Sequence, residues 1–153
     1  MAKKVLLKEE QLNRIMTLLK EIYQRAKGQF YVKEKLESPV DISNLETTKH
    51  YNDRRGRVSK ISNQVGDIGD AVYSFIVDTG HPNGDEVHTI TEKGLIVIQN
   101  NESGKLITIL AARPGQIKRY WISLGIPFPK KDETFNLILR YAQNYQNTRL
   151  NYA

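Results

Sequence analysis

The chain has 153 residues, 39% of them hydrophobic and 26% charged, and its 23 Lys and Arg against 17 Asp and Glu give a net charge of +6 and a pI near 9.5. That length predicts a single domain, 1–153, with room for a buried core, and the absence of cysteine excludes a disulfide framework, a thiolate nucleophile and a thiolate metal site. No apolar run approaches the roughly 20 residues that span a bilayer, and the basic start Lys3-Lys4-Val5-Leu6-Leu7 runs straight into Lys8-Glu9-Glu10, so neither an anchor nor a signal peptide is predicted and a cytoplasmic location is expected.

Residues 8–27 predict a helix, because Leu12, Ile15, Met16, Leu19, Ile22, Tyr23 and Ala26 recur at three- and four-residue spacing and Gly28 supplies a stop. The stripe is read as core. Gln29 to Leu36 includes a short strand, and Ser43-Asn44-Leu45-Glu46 fits a capping box opening a short helix near 44–51. Residues 49–70 form a basic, then glycine-rich, loop that holds Lys49, Arg54, Arg55, Arg57 and Lys60, with turn material at Gly66 and Gly69. Residues 71–112 predict the antiparallel sheet, with strands near 71–77, 86–91, 94–100 and 105–112 joined by short turns. Pro114 suits the first turn of a helix over 114–123, Gly125, Pro127 and Pro129 break it, and a last helix covers 132–147. The fold class is therefore α+β: a four- or five-stranded antiparallel sheet packed on one face by N-terminal and C-terminal helices.

Turn positions imply a register. If Asn101-Glu102-Ser103-Gly104 closes a hairpin, Asn100 pairs with Lys105, Ile98 with Ile107 and Val97 with Thr108; if Glu92-Lys93 forms the preceding turn, His88 opposes Val97. One face then carries Val87, Ile96, Ile98, Ile107, Ile109 and Ala111 and packs on the helices. The other carries His88, Val97 and Thr108 and is left to meet a ligand.

Candidate chemistry follows from that layout. His88 titrates near neutral pH and suits proton transfer, against the reading of an ordinary strand histidine. Arg113 and Gln116 lie near a helix N-terminus, where free amides and a guanidinium group hold phosphate, with Lys118 and Arg119 further along the helix, against the reading of Lys118 and Arg119 as its solvated face. Arg54, Arg55, Arg57 and Lys60 suit a nucleic-acid backbone, against an ordinary solvated loop, and Tyr51 beside them is able to stack on a base. The basic balance of the whole chain fits a polyanionic partner. The three histidines, His50, His81 and His88, lack metal-ligand spacing, and no phosphate-binding glycine motif occurs, so neither a metal nor a cofactor is expected.

The runs His88-Thr89-Ile90-Thr91-Glu92-Lys93-Gly94-Leu95-Ile96-Val97-Ile98, Leu106-Ile107-Thr108-Ile109 and Ala112-Arg113-Pro114-Gly115-Gln116-Ile117-Lys118-Arg119-Tyr120-Trp121 resemble the phage-associated branch of the barnase/EndoU/colicin/RelE-like nucleases. The resemblance implies a metal-independent RNase-like domain of phage or mobile-element origin, toxin-like in kind. It implies His88 as acid or base, Thr108 as a substrate hydrogen-bonding group, and Arg113 with Gln116 as phosphate stabilisers. A second proton carrier is missing from the sheet, so Tyr120 or His50 would serve. The expected reaction is attack of the RNA 2′-hydroxyl to give a 2′,3′-cyclic phosphate. Two alternatives stay open: a non-catalytic nucleic-acid-binding or phage regulatory protein, and an inhibitor that acts on a host enzyme or protein–RNA complex. The expected partners are thus RNA and an antitoxin or host protein, with no membrane.

Overall fold

The computed structural model describes residues 9–16, 30–43, 67–80, 82 and 84–148. Helix α1 covers 9–16, within the predicted 8–27. Five strands follow, β1 (Tyr31–Lys35), β2 (Ala71–Asp78), β3 (Glu86–Thr91), β4 (Leu95–Asn100) and β5 (Leu106–Ala111), and then helices α2 (Pro114–Leu124) and α3 (Glu133–Thr148). The strands form one antiparallel sheet in the order β1-β2-β3-β4-β5. The arrangement is α+β. The predicted capping-box helix near 44–51 and most of the 49–70 loop lie outside the described residues.

Local chemistry explains the element ends. Gly94, at φ 74°, closes the β3–β4 hairpin, with its N–H donating to Thr91 O at 2.9 Å. Gly104, at φ 71°, closes β4–β5, where Asn100 Oδ1 accepts from the Glu102 and Ser103 amides at 3.0 and 2.9 Å. Arg113 is extended before Pro114 opens α2, and the Gln116 side chain accepts the Arg113 N–H at 2.7 Å. Gly125 at φ 68° ends that helix, with the Ile126 N–H reaching back to Trp121 O. Asp132 starts α3 by accepting the Thr134 amide at 3.0 Å, and its other carboxylate oxygen accepts the Tyr73 hydroxyl at 2.6 Å.

The observed register moves side chains to faces the turn count did not predict. The β3–β4 hairpin has a three-residue loop, Glu92-Lys93-Gly94, so Ile90 pairs with Ile96 and His88 with Ile98, not Val97. At the next hairpin the expected pairing holds beside the turn, with Asn100 bonded to Lys105 and Gln99 paired with Leu106. A bulge between Ile98 and Gln99 then shifts it by one, and Thr108 opposes Ile98. A single-residue slip exchanges the faces. His88 and Thr108 therefore lie with Tyr73, Phe75, Ile90, Ile96 and Ile98 on the face that α2 and α3 cover.

That face holds the larger core. Trp121 and Tyr120 from α2 and Phe135, Ile138 and Ala142 from α3 pack against Tyr73, Phe75, Ile90 and Ile96. The opposite face is also buried: Leu95, Val97, Ile109 and Ala111 cluster with Tyr145, next to Ile42 and Ile68. The expectation of one open sheet face is therefore corrected. By contrast Leu12, Ile15 and Met16 of α1, read as core in the sequence, are 47%, 41% and 59% exposed. No helix among the described residues is long and apolar enough to cross a membrane.

Candidate functional site: the Glu86–His88–Tyr120 chain

A strand places residues two apart on one side, so Glu86 and His88 of β3 point the same way, and α2 lays Tyr120 across them. His88 Nδ1 lies 2.7 Å from Tyr120 Oη, and His88 Nε2 lies 2.9 Å from Glu86 Oε1. The carboxylate only accepts, so Nε2 carries the ring proton, and Nδ1 accepts from the tyrosine hydroxyl. Phe30 closes the arrangement, tilted against His88 and edge-on to Tyr120, with ring centroids 5.7 and 4.7 Å away. The Arg119 guanidinium stacks on the Phe30 ring at 3.9 Å.

His88 is 4% exposed. Burial holds its imidazole below the ordinary histidine range, Glu86 pulls it up, and Arg119 pushes it down again. Burial raises the Tyr120 phenol far above its usual value, with Arg119 opposing. Both shifts favour neutral side chains at neutral pH. In this form the chain is a fully hydrogen-bonded joint between sheet and helix.

The predicted site residues are only partly brought together. His88, Tyr120 and Arg119 converge, and Glu86, absent from the sequence reading, completes the group; its place two residues before His88 on one strand was the available signal. Thr108 shares the face but not the cluster: it is buried, two strands away, and its hydroxyl has no partner among the described residues. Arg113 is exposed at the N-terminus of α2, and the Gln116 carbonyl oxygen is engaged with its backbone. Arg54, Arg55, Arg57, Lys60 and His50 lie outside the described residues. A cavity of about 330 Å³ lies between 40–43 and 67–71, and none of the predicted residues lines it. Among the described residues no group of three His, Asp or Glu is arranged to hold a metal ion.

The geometry assigns the Tyr120 hydroxyl a structural role. Tyr120→Phe is expected to leave Nδ1 buried without a donor and to cost about 1–3 kcal/mol of stability, measured by urea unfolding followed by circular dichroism. An unchanged midpoint would remove the tyrosine from the joint.

Comparison with protein-family models, with curated proteins and with solved structures returned no match.

Proposed function

We propose that this protein binds nucleic acid without cleaving it, through the basic run from Lys49 to Lys60. One observation carries the reading: cations are concentrated in one stretch of the chain. The 12 residues from Lys49 to Lys60 hold five Lys and Arg against a single Asp, a net of +4 in a chain whose whole net is +6. Attraction to phosphate is a matter of local cation density, because screening confines it to about 10 Å at ordinary salt.

Burial argues against turnover at His88. A general base must come within hydrogen-bond reach of the proton that it takes, and both ring nitrogens of His88 are occupied inside the helix-covered face. Phosphate contacts supply affinity without sequence reading, which fits a run of arginines interrupted by Gly56.

Binding of a fluorescent single-stranded RNA is expected to weaken linearly in a log–log plot against salt. The triple variant R54A/R55A/R57A is expected to lower the affinity and reduce the slope by about 2, at roughly 0.7 per lost phosphate contact. The RNA is expected to be recovered intact after incubation in EDTA. Cleavage that His88→Ala abolishes would replace this reading with the metal-independent RNase, in which the 2′-hydroxyl attacks the adjacent phosphate.

A further inference from the structure

We propose that the Glu86–His88–Tyr120 chain is an acid-sensitive latch, which joins α2 to the sheet while His88 is neutral and releases the helix when His88 gains a proton. Hydrogen-bond arithmetic leads to it. In the neutral state Nε2–H donates to Glu86 and Tyr120 O–H donates to Nδ1, while the Tyr120 oxygen also accepts from Arg119. Protonation turns Nδ1 into a donor. The tyrosine oxygen then has to accept, and its own proton needs a new acceptor inside the core. Among the described residues none of the neighbours supplies one.

Each element packed around the ring confirms this. β3 contributes Glu86, whose carboxylate already serves Nε2. β2 and β4 place Phe75 and Ile98 beside His88. The chain before β1 contributes the Phe30 ring. α2 contributes Tyr120 itself and Arg119, which has donors only and adds a like charge to the imidazolium. Acidification thus creates an orphaned hydroxyl and a buried cation balanced by one partly exposed carboxylate.

The sign follows directly. A histidine whose folded value is depressed contributes stability that is fully present above its unfolded value, near 6.5, and that is lost as pH falls below it toward the folded value. The part of the fold that fails first is the one the latch holds. α2 carries Trp121, the single tryptophan, among Tyr73, Phe75 and Phe135, so its near-ultraviolet circular dichroism reports on docking.

The test uses the full chain and the double variant H88F/Y120F, which replaces both members of the buried pair with rings of similar shape, removes the titrating group, and leaves the partly exposed Glu86 carboxylate and the Arg119 guanidinium without those partners at every pH. Between pH 7.5 and pH 5.5 the wild type is expected to lose about 3 °C or more in Tm beyond the loss of the double variant. Its near-ultraviolet signal is expected to fall at a higher pH than its far-ultraviolet signal. Nitrogen-15 NMR of the histidine rings at pH 7.5 is expected to find His88 neutral with its proton on Nε2. If the two proteins follow the same pH dependence, or if His88 titrates near 6.5 with α2 still docked, the latch is overturned. Neither readout involves RNA, so the result is independent of the binding proposed above.

Discussion

Trp121→Ala is expected to remove a large share of the stability of the fold. The indole is 2% exposed and is met edge-on by Tyr73, Phe75 and Phe135 at centroid distances of 5.1 Å each. Those three rings come from β2 and α3, so the indole is the point at which α2 is wedged between the sheet and the last helix. Truncation to a methyl group leaves a cavity walled by side chains on rigid elements, which collapse poorly. Large-to-small changes of this kind cost about 3–5 kcal/mol, against a typical total of about 5–15. Ile122, the next residue on the helix, is 56% exposed, and Ile122→Ala is expected to stay within about 0.5 kcal/mol. Urea unfolding followed by far-ultraviolet circular dichroism measures both, since the variant lacks its fluorophore. Equal midpoints for the two variants would show that α2 is not seated as described.

How far the fold was legible in the sequence depended on which physical signal each element used. Strands and helices from residue 71 onward were readable because β-branched runs, turn glycines and prolines mark them locally: the helix predicted over 114–123 is Pro114–Leu124, and the strand over 86–91 is Glu86–Thr91. Register was not, because it depends on one residue at each turn. Reading Glu92-Lys93 as a two-residue turn ignored the adjacent Gly94, whose left-handed conformation lengthens the loop to three. No sequence signal marked the bulge between Ile98 and Gln99. The first slip carried His88, and the second Thr108, from the expected ligand face into the core.

The candidate site was half legible for the same reason. Histidine, tyrosine and arginine stood out as chemistry-bearing residues, yet a chemical type does not say whether solvent reaches it. His88 and Tyr120 satisfy each other, and a satisfied buried pair is what a core requires of polar groups. The basic run at 49–60 was legible as charge alone, and charge is enough to act on phosphate at a distance.

Gly94→Ala is the second large effect, and it separates two costs that glycine usually hides together. At φ 74° a methyl group is strained whatever surrounds it, by about 1–2 kcal/mol. Here the surroundings add to the strain. A Cβ on Gly94 would stand 3.1 Å from Ile138 O and 3.0 Å from Tyr141 Cβ, both on α3, one of them backbone that has no rotamer to change. The helix would have to move. It is tied to the same turn, because Tyr145 donates to Lys93 O at 2.6 Å, so movement also strains a part-buried hydrogen bond. Overpacking of this kind adds about 1–3 kcal/mol. Gly104→Ala is the matched control: φ is 71° and nothing lies within 4 Å of its Cβ, so it carries the conformational cost alone. Gly94→Ala is therefore expected to lower the unfolding free energy by about 2–5 kcal/mol, and Gly104→Ala by the smaller conformational part. Equal losses at the two glycines would mean that α3 does not press on the β3–β4 turn, and the contact that sets the close approach of helix to hairpin would have to be redrawn.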